Sequence, residues 1–489
     1  MLEESNLPEI IFASSDSQLS RQIGDFVKRG IIRKLVPRVY TADLLDSPEQ
    51  ILERNLFLIL GRLYPDAVLS HRSALELKPT AKGNLYLTYS YTRNIDLLHL
   101  RLRLLQGPGP GEYDNRLQGE LYLSSLERAC LENMQPSRKG VDGERRTVAR
   151  EVIEKRLIDV LRIDGEKGLN AFRDKARQIA IALGMEKELE KLNQTISALL
   201  ATRSSKVLKS PLAIATALGE PYDSFRVKLF WDLFTDLKQR RFPRREEMFP
   251  TGQAFAHFAF FEAYFSNYIE GTEFDVDEAK DIVFKGAVIE NRIGDTHDIK
   301  GTYEIVGNTY EMRKIPTSYE SLIDLLQKRH SVILRGRPDQ SPGKFKTRAN
   351  RAGNTMFVAP ELVRGTLKKA FEPYQALEHP FARAIFMMFM ISEIHPFADG
   401  NGRIARIMMN AELVKAETAR IIIPTVFRED YLLALRKLSR QQDAAPYIKM
   451  MERAHQFSHQ LPADDFDKLL KFLRQSSAFL EPHEGKLNF

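Results

Sequence analysis

One short segment collects the residue types that phosphate-transfer chemistry needs. It runs from His395 to Arg406 and reads His-Pro-Phe-Ala-Asp-Gly-Asn-Gly-Arg-Ile-Ala-Arg. An apolar stretch precedes it, and alternating apolar and basic residues follow it, which predicts helix, loop and helix. Gly400 and Gly402 allow backbone conformations that a side chain would forbid, so main-chain N–H groups can turn toward one oxyanion at the start of the second helix. The sequence therefore predicts a site for a pyrophosphate group.

The side chains of this segment each suit one role in such a site. The imidazole of His395 titrates near neutral pH and can accept a proton from a hydroxyl that attacks phosphorus. The carboxylate of Asp399 is a hard oxygen ligand that suits Mg²⁺. Asn401 can donate from its amide to a phosphate oxygen, and Arg403 and Arg406 can reach more distal phosphates through their forked donors. These residues predict a general base, a metal ligand and a set of phosphate contacts.

The same residues resemble the signature of the Fic family, in which His, Phe, an acid, a Gly-Asn-Gly-Arg run and a final Arg recur at fixed spacing. Every defined position matches within 395–406, and about eight fixed positions almost never match by chance. The resemblance implies transfer of a nucleoside monophosphate, usually AMP from ATP, to a protein Ser, Thr or Tyr hydroxyl, with Mg²⁺ and release of pyrophosphate. It implies that His395 is the base and Asp399 the Mg²⁺ ligand. The phosphate contacts that it implies are Gly400, Asn401, Gly402, Arg403 and Arg406.

A second motif lies upstream, where Ser266-Asn-Tyr-Ile-Glu270-Gly271 follows an aromatic, apolar segment that is predicted to be a buried helix. Ser266 and Glu270 share a helix face because they are four residues apart. The motif resembles the inhibitory helix of autoinhibited Fic proteins: Ser or Thr, three residues, Glu, then Gly or Asn. The resemblance implies that Glu270 pairs with Arg406 and disturbs ATP binding, or instead orients a water that removes AMP from the target. An ordinary helix end with a Gly C-cap at Gly271 is the structural alternative.

Two segments between these motifs, 295–308 and 342–361, have the composition of loops with short strands. The second resembles the flap of Fic proteins, in which a hairpin docks the target segment through main-chain hydrogen bonds. Its approach is basic, and a solvated loop without a role is the alternative. The predicted flap residues are Thr355, Met356, Phe357 and Val358.

The N-terminal part carries an uneven positive charge, although the net charge of +7 is modest for 489 residues. A capping pattern at 15–18 and alternation over 31–41 predict a helix followed by a short hairpin. Together with Ser70-His-Arg-Ser73, this region resembles the winged-helix domain of AbiEi-type antitoxins and related bacterial regulators. That resemblance implies contact with duplex DNA, and a basic protein-binding face is the alternative. The implied DNA contacts are Arg21, Lys28 and Arg33.

Composition and length indicate a globular chain of more than one domain. Hydrophobic residues make up 43% and charged residues 28%, and no apolar run approaches the length of a membrane span. The N-terminus lacks the pattern of a signal peptide, and the lone Cys130 can form no intrachain disulfide. We therefore expect a cytoplasmic protein without a membrane partner, in which Cys130 is a small buried residue.

The expected fold is mainly α. A Fic all-helical core with a β-hairpin flap follows an α+β winged-helix-like domain and a helical connector. The predicted divisions are 1–125 for the winged-helix-like and small α+β region, 126–204 for the connector, 205–455 for the Fic domain with its inhibitory helix, and 456–489 for a C-terminal helix.

Two classes of function follow. The favoured one is an autoinhibited protein adenylyltransferase that uses ATP and Mg²⁺ and acts on a protein target, with de-AMPylation as its reverse reaction. The alternative is a nucleotide-sensing DNA-binding regulator or toxin–antitoxin component. The intact His395 favours chemistry, because a sensor needs no base. UTP or a CDP-linked alcohol would fit the same loop, and a second copy of the chain, as a homodimer, is a further candidate partner.

Overall fold

The computed structural model describes residues 4, 7–140, 142–353 and 355–489. The chain divides into two compact units, Met1–Leu218 and Gly219–Phe489. The fold is mainly helical, which confirms the predicted class. No helix within the described ranges is both long and apolar enough to cross a bilayer.

The first unit begins with one amphipathic helix and a small antiparallel sheet of strand order β1-β3-β2. Asp16 caps the helix by accepting the Leu19 N–H, and Ile23 and Phe26 lie on its buried face. A helix and a hairpin therefore stand where the sequence predicts them. Their bounds are β1 Ile10–Phe12, α1 Ser17–Lys28, β2 Arg33–Val36 and β3 Val39–Thr41.

A mixed sheet of strand order β6-β7-β5-β4-β9-β8 forms the middle of the first unit. Cys130 lies buried beside it, and burial raises the pKa of its thiol to about 12, which leaves it unreactive. The elements are α2 Pro48–Arg54, α3 Leu56–Leu63, β4 Val68–Leu69, α4 His71–Glu76, β5 Asn84–Tyr89, β6 Arg93–Leu97, β7 Leu100–Gln106, β8 Asn115–Gln118, β9 Leu121–Leu123 and α5 Leu126–Asn133.

The predicted connector is helical and packs into the first unit. The helices within 126–204 are α5, α6 Arg150–Leu183 and α7 Glu186–Leu199, and α8 Pro211–Ala217 follows them. The main-chain N–H groups of Lys209 and Ser210 donate to the carboxylate of Glu154 on α6, at 2.8 and 2.7 Å. These bonds hold the start of α8 against α6, so the division of the chain falls after Leu218 and not at the predicted 204/205 boundary.

The second unit is a helical assembly around the hairpin of α16 and α17, both of which are buried on nearly all sides. A short antiparallel pair, β10 and β11, stands beside it. The elements are α9 Ser224–Gln239, α10 Gly252–Ile269, α11 Val276–Lys280, α12 Ile293–Val306, α13 Thr309–Met312, α14 Tyr319–Ile333, β10 Arg351–Ala352, β11 Thr355–Met356, α15 Val363–Gln375, α16 Pro380–Ile394, α17 Asn401–Lys415, α18 Arg428–Gln441, α19 Ala445–His459 and α20 Phe466–Gln475.

The prediction of a loop with short strands at 295–308 is wrong, because α12 occupies most of this range. Gly301, within this helix, serves helix packing. A Cβ at Gly301 would lie 2.6 Å from the carbonyl oxygen of Val332 and 3.1 Å from the Cα of Ile333. Only glycine allows α12 to approach α14 this closely.

The C-terminal segment belongs to the core of the second unit rather than forming a separate part. The ring of Phe466 on α20 stacks on Phe261 of α10, with centroids 5.3 Å apart. Phe479 lies 5.1 Å from Phe265 by the same measure. The helix predicted to be inhibitory is thus covered on one side by residues from the end of the chain.

Candidate active site

The loop between α16 and α17 is held in shape by its own side chains. His395 ends α16 in the left-handed region, with φ 54°, and Gly400 precedes α17 with φ 73°. The amide of Asn401 accepts from the N–H of Phe397 and donates to the carbonyl of the same residue, both at 2.9 Å. The Asn401 amide thus closes the loop through its Oδ1 and one of the two N–H donors of its Nδ2.

The imidazole of His395 is neutral and held in one orientation. Its Nδ1 lies 3.2 Å from the carbonyl oxygen of Ser392. Because a carbonyl can only accept, Nδ1 carries the hydrogen and Nε2 keeps its lone pair. Burial, with a smaller contribution from the positive charge of Lys346, lowers the pKa of His395 to about 4. The ring also stacks on Phe357, at 3.7 Å and 6°, so it is neutral and fixed in orientation.

Arg406 is buried and fully engaged with the upstream motif. Its Nε donates to the Ser266 hydroxyl at 2.9 Å, and its Nη2 donates to the Ser266 carbonyl at 2.8 Å and to Glu270 Oε1 at 2.7 Å. A Cβ at Gly402 would lie 2.1 Å from Glu270 Oε1. The carboxylate therefore sits against the first turn of α17, where the positive end of a helix attracts anions. Gly271 follows with φ 88° as α10 ends.

Buried polar side chains of α10 form hydrogen bonds with polar side chains of α17. Glu262, two turns before Glu270, accepts from the Asn410 amide at 2.8 Å and from Arg420 at 3.2 Å. Arg420 and Asn410 are completely buried. Because a buried ion pair is strongly destabilised when one partner is lost, this contact fixes α10 along α17 and sets the position of Ser266.

The side chains of Arg403 and Asp399 differ in their exposure to solvent. Arg403 is 3% exposed, and its Nη1 lies 2.7 Å from Asp298 of α12. Arg337 donates to the same carboxylate oxygen at 2.8 Å. The side chain of Asp399 is 47% exposed, and its Oδ2 lies 3.6 Å from Arg403. The structure thus leaves the Asp399 carboxylate accessible, whereas Arg403 is paired inside the protein.

The predicted flap is a hairpin in which Arg351 pairs with Met356 and Ala352 with Thr355. Arg226 of α9 donates to the Met356 carbonyl at 2.7 Å. Phe357 covers His395, as described above. Val358, the last predicted flap residue, is buried in the core of the unit.

A cavity of ≈ 560 Å³ connects these groups. Its size is within the usual range for small-ligand sites, roughly 300–1,000 Å³. Arg406, Gly402, Glu270, His395 and Phe357 all line it. The remaining wall includes Ala352, Gly353, Thr355, Phe389, Ser392, Glu393, Tyr431, Leu432, Leu435, Arg436, Ser439 and Arg440.

Several residues at the site carry no recognisable sequence signal. His330 of α14 accepts from the Gly343 N–H through Nδ1 and donates to the Asp399 carbonyl through Nε2, at 2.9 and 3.0 Å. Glu393 accepts from Arg226 at 2.9 Å and from the Ser439 hydroxyl at 3.0 Å. His330 lies on a helix that is distant from the motif in sequence, and Glu393 lies just before the motif. Their partners are brought to them by the fold, which no local pattern shows.

Residues 320–413 match the Fic/DOC family. The chain is similar to protein adenylyltransferase fic-1 of Caenorhabditis briggsae, at 26% identity over 212 residues, 41% of this chain and 40% of that protein. It is also similar to protein adenylyltransferase Fic of Drosophila sechellia, at 28% over 209 residues, 39% of this chain and 40% of that protein. The match thus spans less than half the length of these curated relatives. Among solved structures, Fic-1 (134–508) from C. elegans aligns with 67% of this chain and 94% of that chain, at 17% identity and a TM-score of 0.37.

Proposed function

Because residues 320–413 form a Fic domain, we propose that this protein transfers AMP from ATP to a Ser, Thr or Tyr hydroxyl of a target protein. The observation that carries the proposal is the shared cavity. It is lined both by a neutral imidazole, that of His395, and by the guanidinium of Arg406. A base and an outer-phosphate contact in one cavity suit in-line transfer. The curated relatives are named protein adenylyltransferases, which supports the same reaction class.

In the proposed reaction, the acceptor oxygen attacks the α-phosphorus of ATP while the bond to the β-phosphate oxygen breaks and pyrophosphate leaves. The hydroxyl proton passes to Nε2 of His395, whose lone pair is free because Nδ1 faces the Ser392 carbonyl. Main-chain N–H groups around Gly400 and Gly402 hold the phosphates at the helix terminus. Arg406 binds the outer phosphate once it leaves Glu270, and Arg403 joins by exchanging Asp298 for phosphate.

Asp399 is the proposed ligand for Mg²⁺. Its carboxylate is half-exposed, with Oδ1 accepting from the Gly400 N–H at 2.6 Å. No group of three or more His, Cys, Asp or Glu in the described part of the chain could hold a metal, and Mg²⁺ often binds through one or two carboxylates and the substrate phosphates. Asp399 therefore fits the ion. When bound, the ion neutralises charge on the phosphates.

Glu270 is the proposed brake. Its carboxylate lies where an outer phosphate would meet the start of α17, and it occupies the Nη2 of Arg406. Two anions cannot share that position, so ATP binds weakly or out of line. The alternative for the same carboxylate is the reverse reaction, in which Glu270 orients a water that removes AMP from the target.

The test compares Glu270→Gly protein with Glu270→Gly/His395→Ala protein in a cell lysate, each with α-labelled ATP, UTP or CTP. We expect protein labelling from ATP with the first variant and none with the second. Equal labelling by both variants contradicts the proposal, and labelling from UTP or CTP alone identifies a different donor. Glu273→Gly, which removes a nearby exposed carboxylate, serves as the matched control and should label no more than wild type.

The target segment is proposed to dock on the flap by adding a strand beside 355–358. Main-chain pairing would tolerate many target sequences, so other surfaces would select the target. The Thr355→Pro substitution in the flap removes a main-chain donor from this strand. We therefore expect the Thr355→Pro protein to label a target peptide less than the protein with an intact flap does.

DNA binding by the first unit is a second candidate function, supported by exposed basic residues. Arg21 and Lys28 of α1 are exposed, whereas Arg33 is partly buried and donates to the carbonyl of Asp43 at 3.1 Å. Binding of the full chain to duplex DNA should therefore weaken with added salt and in the Arg21→Gln/Lys28→Gln variant. The control Lys167→Gln/Lys187→Gln removes two exposed charges of α6 and α7. Equal loss in both variants, or no binding at low salt, contradicts this function.

A further inference from the structure

The main chain on both sides of His395 is held by a segment that lies just before the flap. The N–H of Lys346 donates to the carbonyl of Pro396 at 2.9 Å. The Asn350 amide donates to the carbonyl of Phe397, also at 2.9 Å. The Lys346 ammonium donates to Asn350 Oδ1 at 2.6 Å and lies 3.5 Å from the carbonyl of Ile394. Contacts from two residues thus reach positions 394, 396 and 397.

These contacts matter because His395 adopts an unusual backbone conformation. Its φ of 54° lies in the left-handed region, which residues other than glycine seldom occupy. Such a conformation persists when the surrounding structure imposes it. It aims the imidazole into the cavity with Nδ1 on Ser392, and the Lys346 and Asn350 contacts lie on the carbonyls immediately around this turn.

Lys346 is also an unusual side chain for a buried position. It is 6% exposed, and it forms no ion pair with any residue that the structure describes. Burial lowers the pKa of its ammonium to about 8. A buried cation without a carboxylate is unfavourable for the fold alone, so its retention beside the base points to a role at the site.

We infer that Lys346 and Asn350 are positioning residues for His395: they hold the left-handed turn and place a positive charge beside the imidazole, which keeps the ring neutral and its Nε2 directed at the acceptor hydroxyl. This inference rests on the proposed function for its kinetic test. The charged groups that face His395 are Lys346 from this segment, Glu270 at the end of α10 and Asp399 of the loop. Of these, only Lys346 disfavours the imidazolium.

The kinetic test uses the Glu270→Gly background and compares Lys346→Met, Lys346→Arg and Asn350→Ala. Lys346→Met should lower kcat by about 10- to 100-fold and change KM for ATP by less than about twofold, since the base, not the phosphate contacts, is disturbed. Its acid limb in the pH–rate profile should move to higher pH, because removal of a positive charge raises the pKa of His395. Lys346→Arg should restore most of the rate. Lys344→Met, at an exposed lysine two residues away, is the matched control and should leave kcat and the profile unchanged.

A readout that does not depend on transfer separates this inference from the proposed function. ¹⁵N spectra of the histidine rings, assigned with His395→Ala, report the tautomer and pKa of His395 directly. In Lys346→Met or Asn350→Ala protein we expect a higher pKa or a mixture of tautomers. If the Glu270→Gly parent transfers nothing, the proposed function fails. The ring spectra alone then test whether Lys346 and Asn350 position His395. An unchanged tautomer and pKa in both variants, or a loss of kcat that only parallels a fall in Tm and ATP affinity, overturns the inference.

Discussion

Two groups of side chains at the cavity of the second unit differ in their surroundings. In the first, the base cluster, His395 is neutral, oriented by Ser392 and stacked on Phe357. In the second, the phosphate cluster, Arg406 donates from Nε and Nη2 to Ser266 and Glu270. Under the proposed function, the base is therefore preorganised while a phosphate contact is occupied by another anion. The two clusters share no residue, so each can be altered separately.

The contacts of the phosphate cluster also have a structural reason. A buried guanidinium must be satisfied by acceptors, because an unpaired buried charge is strongly destabilising. Ser266 and Glu270 supply those acceptors. Under the proposed function, the same contacts thus stabilise Arg406 and compete with the nucleotide for it.

The largest effect should come from a substitution in the base cluster alone. In the Glu270→Gly background, His395→Ala should lower the transfer rate by about 10²- to 10⁴-fold, the usual contribution of a general base. ATP affinity should change by less than about twofold, because the substitution leaves Arg406 and its neighbours in place. Single-turnover transfer and calorimetric titration with a non-hydrolysable ATP analogue measure the two quantities. A parallel loss of affinity would show that the two clusters do not act separately.

The next largest effect should come from freeing Arg406 from Glu270 in the phosphate cluster. Hydrogen bonds to charged groups contribute about 1.5–3 kcal/mol, so Glu270→Gly should raise the transfer rate by roughly 10- to 150-fold. Glu270→Gln keeps the size of the side chain but removes its charge, and it should give a smaller rise. The rates are measured at subsaturating ATP. A higher rate for Glu270→Gly together with an unchanged rate for Glu270→Gln would mean that Glu270 acts by filling space rather than by its charge.

A smaller effect is expected from Ser266→Ala. The variant removes the hydroxyl that accepts from Arg406 Nε but keeps the Ser266 carbonyl as a partner. Because Arg406 keeps its other two acceptors, the Ser266 carbonyl and Glu270, the transfer rate should rise by roughly 10-fold at most, the low end of what a hydrogen bond to a charged group contributes. Ser266→Thr retains the hydroxyl and is the matched control. A rate for Ser266→Ala equal to that for Ser266→Thr would assign restraint to Glu270 alone.

The smallest effect concerns pH. Because burial holds the pKa of His395 near 4, the base stays neutral as pH falls from 8 to 6, and the Glu270→Gly rate at saturating ATP should change by less than about twofold. A histidine with the ordinary pKa of about 6.5 would lose roughly three-quarters of its neutral form by pH 6. A rate that falls to a quarter over this range would show that the base is more exposed in the working enzyme.

The sequence is informative where function depends on local spacing. Ser266 and Glu270 are four residues apart on one helix, so their arrival at a common partner follows from helical geometry. The loop of His395 and Gly400 is equally local. In both places the structure has the residues where the motifs put them.

The sequence is uninformative where long-range packing decides. The composition of 295–308 suggested a loop, yet α12 fills most of it, and the close approach of α12 to α14 at Gly301 brings Asp298 to Arg403. Asn401 suggested a phosphate donor, but no sequence pattern suggested that its amide also closes the loop. No local pattern encodes such choices, because they depend on which distant segment is already in place.

The packing of α20 on α10 has a practical consequence. The family match ends at residue 413, but Phe466 and Phe479 cover the aromatic face of the helix that carries Glu270. A shortened polypeptide that stops where the match stops would lose these contacts and expose the ring faces of Phe261 and Phe265 that they cover, which favours aggregation and loosens the helix that carries Glu270. A fragment that keeps this packing therefore extends at least through residue 481, whose carboxylate also accepts from the Tyr268 hydroxyl.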